Sequence, residues 1–283
     1  MTFYSPLRYP GGKAKLANFF KNLIEENDLK GGTYVEIYAG GSSVALSLLM
    51  EDYVSKVIIN DKDLSIYALW HSILNHPIKL CNLIKKTPLT IENWKIQKKI
   101  QTNKKGYDLL TLGFSTLFLN RTNRSGIMKA GVIGGLKQKG KWKIDARYNQ
   151  ETLIYKIKLI SKYRDRIELH QEDAKILINN LKDSLPEKSL IYLDPPYFNK
   201  GKDLYMNYYD YNDHKEIAEL VSSLKNVKWV VTYDDVPKIN KLYSAFFYYK
   251  YLLNYSAANS GKGRERVFFS SILNPSSKGL ILA

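Results

Sequence analysis

Thr33-Tyr34-Val35-Glu36-Ile37-Tyr38-Ala39-Gly40-Gly41-Ser42-Ser43, followed by Val44-Ala45-Leu46-Ser47-Leu48-Leu49-Met50, is the stretch on which the fold turns. Residues 33–38 form an apolar run rich in aromatic and β-branched side chains, which predicts a buried strand. Gly40-Gly41 predicts a tight turn where backbone can approach a ligand closely. The apolar run after it predicts a helix, with Ser42 or Ser43 at its N-cap. A helix N-terminus favours negative groups. A second strand, Lys56-Val57-Ile58-Ile59-Asn60, ends at Asp61. That acid lies about 20 residues past the glycines, where an acid commonly takes ribose hydroxyls. Strand, glycine turn, helix, strand, acid is the opening of a Rossmann-like α/β sheet. The turn does not spell G-x-G-x-x-G, which argues against a dinucleotide enzyme.

Outward from this unit the alternation breaks. From about Leu64 to Tyr148 the pattern is helical, then rich in glycine and lysine, without a βα repeat. Strand-like runs return at Arg166-Ile167-Glu168-Leu169-His170, at Ser189-Leu190-Ile191-Tyr192-Leu193 and at residues 227–233. Two further apolar runs surround Phe246-Phe247-Tyr248-Tyr249 and Val267-Phe268-Phe269. The expected organisation is one discontinuous α/β domain, residues 1–64 and 149–283, interrupted by a mostly helical module at 65–148. The chain has 283 residues, 45% of them hydrophobic, enough for one large domain carrying an insertion. Residues 274–279 read as a loose tail.

The most specific motif follows the run at 189–193: Asp194-Pro195-Pro196-Tyr197. A carboxylate at the C-terminal end of a buried strand sits where open α/β sheets bind ligands. The two prolines remove backbone donors and stiffen the turn. Asp194 and the Pro195 carbonyl then stand as fixed acceptors beside an aromatic ring, a corner suited to the exocyclic amine of a flat base.

Charge points to the partner. With 43 Lys+Arg against 27 Asp+Glu, the net charge is +16, which favours a polyanion, most simply nucleic acid. The densest basic stretch holds Arg121, Arg124, Lys129, Lys137, Lys139, Lys141, Lys143 and Arg147 against one acid, Asp145, with Trp142 and Tyr148 as flat surfaces. Such a segment can follow phosphates, while Arg121, Asn123 or Arg124 could read base edges. Residues 258–266, with Lys262 and Arg264, read as a second basic loop that touches backbone. Residues 199–209 read as a polar, tyrosine-rich loop after Tyr197, with Tyr205 and Tyr208 as candidate contacts to a base. The single cysteine, Cys81, allows no intrachain disulfide, and four scattered histidines give no metal spacing. No apolar run approaches a spanning helix, and the first residues lack a signal pattern, so a reducing cytoplasm is expected. Cys81 does not follow a proline, which argues against the cysteine-dependent chemistry of cytosine-C5 methylation.

As an ordered set these motifs resemble the Dam-like, D12-class adenine-N6 DNA methyltransferases of the α group, over about Leu7 to Ser271. Arg8-Tyr9-Pro10-Gly11-Gly12-Lys13 is similar to the family's aromatic-x-GGK motif, and Glu36 to Ser42 to its E-P-F-x-G-x-G motif. Leu119-Asn120-Arg121 with Ser125-Gly126 resembles the start of its DNA-reading hairpin. Asp194 to Tyr197 matches the catalytic D-P-P-Y. The resemblance implies S-adenosylmethionine as methyl donor. Tyr9, Lys13, Glu36, Tyr38, Gly40, Asp61, Asp173 and Asp194 fall at its cofactor positions, with Asp61 on the ribose hydroxyls and Asp173 facing the adenine. It implies Asp194, Pro195 and Tyr197 as the catalytic set, Tyr197 stacking on the target base. Asn120, Arg121, Asn123, Arg124, Lys137, Lys139 and Lys141 are the DNA candidates of the hairpin. Ile37, Tyr38 and Ser42 depart from the usual proline, phenylalanine and glycine. Gly140 to Arg147 lacks the residues of GATC-reading members, so that site is not carried over. Double-stranded DNA is the implied partner, a separate restriction endonuclease is compatible, and one chain holds enough to act as a monomer. The rival readings are an N4-cytosine or RNA amino-methyltransferase and a silent DNA-binding relative.

Overall fold

The structure is a computed structural model that describes residues 3–8, 13–198, 209–254 and 262–283. Its centre is a seven-stranded sheet made of β1 (Thr33–Glu36), β2 (Lys56–Asn60), β3 (Ile167–His170), β4 (Ser189–Leu193), β5 (Trp229–Asp234), β6 (Tyr248–Asn254) and β7 (Lys262–Phe269), in the order β3-β2-β1-β4-β5-β7-β6. The first five strands run parallel. β7 inserts antiparallel between β5 and β6. The order reverses between β1 and β4: from β1 the chain moves to β2 and β3, then returns to β4 on the other side. Ligands of open α/β sheets bind at such a switch point, outside the strands' C-terminal ends.

Both faces of the sheet are buried, which is why its strands read as continuous apolar runs. Tyr34, Val57, Ile59, Leu190, Tyr192 and Val230 point to one face, and their neighbours Val35, Ile58, Ile191, Leu193 and Val231 to the other. On the first face pack α1 (Ala17–Glu26), with Phe19, Phe20, Leu23 and Ile24, and α2 (Ser43–Met50). This core continues without a break into α3 (Leu64–Asn75), α4 (Pro77–Lys86), α6 (Leu109–Thr122) and α7 (Gln150–Ser161), through Trp70, Leu80, Phe118 and Ile157. Between α4 and α6 lies α5 (Ile91–Thr102). The second face is covered by α8 (Ala174–Leu181), α9 (Tyr211–Ser223) and α10 (Pro237–Leu242), through Leu177, Ile217 and Ile239.

Three local outcomes depart from the sequence expectations. The segment from Asn123 to Tyr148 contains no strand ladder. It is a series of turns, beginning with a 3-10 turn at Arg124–Gly126 and pinned by one isolated bridge, Asn123 to Val132. Left-handed residues at Gly134, Gly135 and Gln138 turn the chain too tightly for pairing. The Gln138 side chain holds these turns, donating to the carbonyls of Ile133 (2.8 Å) and Gly135 (2.7 Å) and accepting from Ile144 N–H at 2.8 Å. Second, Ser42 precedes α2 with φ +44° and makes no side-chain cap, so the helix starts on backbone geometry alone. Third, residues 262–266 are the start of β7 rather than loop.

Candidate active site

Three carboxylates meet at the switch point because each ends a strand or directly follows one. Glu36 closes β1, Asp61 follows β2 and Asp194 follows β4. They line one cleft with Lys13, Tyr38, Gly40, Pro196 and Tyr209. Its volume is about 920 Å³ including the open mouth.

Asp194 is held on one side only. Its Oδ1 lies 3.0 Å from Lys13 Nζ and accepts from Thr232 Oγ1 at 2.7 Å. The side chain keeps 20% exposure toward the cleft. Oδ1 is thereby occupied, and Oδ2 is the oxygen with acceptor capacity to spare. Burial raises the carboxyl's pKa, Lys13 and Thr232 pull it back, and the Glu265 carboxylate pushes it up again.

Lys13 is 6% exposed and its ammonium is saturated. Besides Asp194 it reaches Glu265 Oε2 at 3.0 Å and the Tyr197 hydroxyl at 3.1 Å. Burial works against its charge, but Asp194 and Glu265 together raise its pKa well above the ordinary lysine value. Glu265, fully buried on β7, accepts from the Tyr197 hydroxyl at 2.7 Å and from the Tyr251 hydroxyl. Tyr197 is therefore placed differently from expectation. It is 3% exposed, with Lys13 Nζ 5.0 Å from its ring centroid, and its ring is not offered to a ligand in the cleft. Its hydroxyl sits inside the charge network, between Lys13 Nζ and Glu265 Oε1. Pro195 and Pro196 are both buried, and Pro196 lines the cleft.

The cofactor half of the cleft is built around Gly40 and Asp61. Gly40 N–H donates to Asp61 Oδ2 at 2.9 Å, and Asp63 N–H donates to Oδ1 at 2.9 Å. Trp70 Nε1 donates to the Gly40 carbonyl at 3.0 Å, which fixes the turn from behind. Burial dominates at Asp61 and lifts its pKa to about 7 despite the two N–H donors. Glu36 is buried too. The Ala45 backbone serves it, but Oε2 has no partner among the described residues, and burial raises its pKa well above the carboxylate range. Tyr38 and Tyr209 meet hydroxyl to hydroxyl at 3.0 Å on the opposite wall. A cleft with an orphaned buried carboxylate oxygen, a second carboxylate aimed by backbone and a tyrosine wall fits a ligand that carries positive charge, hydroxyls and an aromatic ring. S-adenosylmethionine is such a ligand.

Asp173 lies at the rim. One oxygen caps α8 by accepting from Lys175 N–H at 3.0 Å, and the other pairs with Lys62 at 2.9 Å. Its neighbours Glu172 and Ala174 line the cleft instead. Tyr9, Tyr205 and Tyr208 lie outside the described residues, as does the side chain of Lys262.

The DNA candidates divide into two groups. Asn120 and Asn123 are structural and closed to a nucleic acid. Asn120 is 3% exposed, accepts from Arg8 N–H at 2.8 Å, and donates to the carbonyls of Arg8 (2.8 Å) and Gly126 (3.0 Å). Asn123 is fully buried between Trp94 Nε1 at 2.7 Å and the carbonyls of Ile127 and Met128. Arg121 is half-buried and its Nε and Nη2 both donate to the Pro6 carbonyl. Burial, with Arg8 nearby, lowers its pKa to about 10. Asn120 and Arg121 tie the N-terminal segment to the end of α6, and Asn123 ties the chain leaving α6 to Trp94 of α5. By contrast Arg124, Lys137, Lys139, Lys141 and Arg264 are exposed. Trp142 stands 63% exposed beside Lys141.

Thr232, Tyr251 and Glu265 were not among the sequence candidates. Glu265 had a readable signal. In Arg264-Glu265-Arg266-Val267-Phe268 strand alternation puts Glu265 on the face of Val267, so an acid inside a basic segment points inward.

The family model described as D12 class N6 adenine-specific DNA methyltransferase matches residues 9–254. No curated protein matches the sequence. Among solved structures, a protein described as an RNA methyltransferase from Pyrococcus horikoshii superposes with TM-score 0.43 at 8% identity, over 93% of this chain and 86% of that one. A SAM-dependent methyltransferase from Agrobacterium tumefaciens gives 0.39 at 11% identity, over 90% and 60%. A Legionella pneumophila protein gives 0.35 at 11% identity, over 94% and 85%. These likenesses are too distant to assign a substrate.

Proposed function

This chain belongs to the D12 class of N6 adenine-specific DNA methyltransferases, and from that premise we propose that it methylates N6 of an adenine flipped out of duplex DNA at a specific sequence. The methyl donor is S-adenosylmethionine, which supplies a methyl group on a positively charged sulfur. Asp61 would hold the ribose hydroxyls, Glu36 would offer its unpartnered Oε2 and ionise only against a positively charged group, and Tyr38 and Gly40 would line the cleft beside the cofactor.

The adenine amino nitrogen is a poor nucleophile because its lone pair is delocalised into the ring. Asp194 Oδ2 accepts one N6–H, and the Pro195 carbonyl accepts the other. Two acceptors fixed on a rigid turn favour a pyramidal nitrogen and aim its lone pair into the cleft, so positioning and electrostatics do the work. Lys13 and Thr232 hold Oδ1, so Asp194 cannot rotate away. The base leaves the helix at a cost of a few kcal/mol. The exposed cations Arg124, Lys137, Lys139, Lys141 and Arg264 hold the backbone, and Arg124 is the candidate for reading a base edge.

The observation that carries this reading is the open Asp194 Oδ2 at the mouth of a cleft whose other end suits the cofactor. The test is methyl transfer from labelled S-adenosylmethionine to duplex DNA, with the product digested and its nucleosides separated by mass. N6-methyl-2′-deoxyadenosine supports the proposal. N4-methyl-2′-deoxycytidine, or label taken up only by RNA, refutes it.

A further inference from the structure

We infer that Glu265 is a positioning residue for methyl transfer: it fixes Lys13 against Asp194 and keeps this group of three charges net negative, so that Asp194 meets the acceptor as an uncompensated carboxylate. The inference rests on the reading of Asp194 given under Proposed function.

The geometry is closed on every side but one. Glu265 Oε2 lies 3.0 Å and Oε1 3.3 Å from Lys13 Nζ. Tyr197 and Tyr251 donate one hydroxyl to each oxygen. β5 and β6 flank it, with Asp234 and Tyr251 as its register partners. The charged groups facing Asp194 are Lys13 from the N-terminal turn and Glu265 from β7, while Glu36 on β1, raised well above the carboxylate range by burial, stands beside them as the neutral acid. The tyrosines around them, Tyr34, Tyr192 and Tyr251, all have hydroxyl pKa values raised by burial and are neutral.

Stability alone does not explain a wholly buried carboxylate at this point. Burying an ion pair costs desolvation that its Coulomb gain often fails to exceed, and an apolar replacement is often as stable. The consequence for charge is specific. Asp194 and Lys13 alone make a neutral pair. With Glu265 the three sum to one negative charge, buried except where Asp194 faces the cleft. During methyl transfer the acceptor nitrogen takes up positive charge, which a net negative site in a low-dielectric setting favours. Glu265 also engages Lys13 from behind, so the ammonium neither swings into the cleft nor competes there for positive ligands.

The test uses the full chain labelled with carbon-13 at aspartate carboxyls, with the Asp194 resonance assigned by loss in Asp194→Asn. In Glu265→Gln a nearby like charge is gone, so the Asp194 titration midpoint falls by about one pH unit or more. The single-turnover rate at saturating cofactor falls roughly 10- to 100-fold. Glu265→Asp keeps the charge; its midpoint stays within about half a unit of the native one and its rate recovers most of the loss. An unmoved or raised midpoint in Glu265→Gln overturns the inference, as does a native rate in that variant. Equal losses in both variants also overturn it, because Glu265 is then only a brace. Failure of the underlying reading looks different: the native chain transfers no methyl to adenine, while the titration still reports how Glu265 acts on Asp194.

Discussion

Replacing Asp61 by asparagine changes cofactor binding in a way that depends on pH. Asp61 accepts backbone N–H groups at both oxygens, from Gly40 and Asp63, each at 2.9 Å. Each oxygen has a second lone pair for a ribose hydroxyl. A bond to a charged acceptor is worth about 1 kcal/mol more than one to a neutral acceptor. Two such bonds give about 2 kcal/mol, or roughly 30-fold in affinity. An asparagine NH2 must also face one of the two N–H donors, leaving it unsatisfied at about 1–3 kcal/mol of stability. The sign of the pH effect follows from burial, which raises the carboxyl from 3.8 to about 7. In the ligand-free protein this group favours folding below its unfolded value, and that contribution is lost as pH rises through about 7. Cofactor binding selects the ionised form. Affinity in the native chain therefore rises about fivefold from pH 6 to pH 7 and about twofold more by pH 8. Titration calorimetry from pH 5.5 to 8.5, in buffers of different ionisation enthalpy, reads both the affinity and the proton released. Asp61→Asn should bind roughly 30-fold more weakly at pH 8 with a flat profile. Native affinity in the variant, or a pH dependence that survives the substitution, refutes the reasoning.

Gly126→Ala should lower the unfolding temperature by about 5–10 °C, since φ is +75° and a Cβ there falls 2.4 Å from the Arg8 carbonyl; calorimetry of the ligand-free chain reads it. Ser42→Gly should stabilise by up to about 1 kcal/mol in denaturant unfolding, because Ser42 holds φ +44° without gaining a side-chain cap. Substituting Lys137, Lys139 and Lys141 together by alanine should flatten the dependence of log affinity for duplex DNA on log salt by about 2.7, if each lysine meets one phosphate; fluorescence anisotropy over a salt series measures the slope.

The parallel part of the fold was legible because buried strands leave short apolar runs with acids at their ends. Val57 to Asn60 and Leu190 to Leu193 fall where they were expected. The antiparallel insertion of β7 was not, since strand order beyond the crossovers depends on which edge a late strand finds. Phe246 to Tyr249 and Val267 to Phe269 show no direction in themselves. In the cleft, Asp61 and Asp194 were legible as strand-end acids and Glu36 through the motif resemblance, and the structure brings the three together. The asparagines were misread because an amide suits a base edge and a buried backbone clamp equally well. Asn120 and Asn123 became clamps where the N-terminal segment crosses α6 and where the chain leaves it. The hairpin failed for a related reason: glycine and lysine suggest a flexible pair of strands, but left-handed residues at Gly134 and Gly135 turn the chain first. Glu265 was hidden by its basic neighbours, although strand alternation separates it from them.

The central claim is that Asp194 receives the amine of an adenine. The most direct measurement is single-molecule sequencing of DNA from a methylation-free host expressing the chain or its Asp194→Ala variant. N6-methyladenine at one sequence motif, absent with the variant, is the predicted result. N4-methylcytosine, adenine methylation that persists in the variant, or an unmodified genome with the native chain would contradict it.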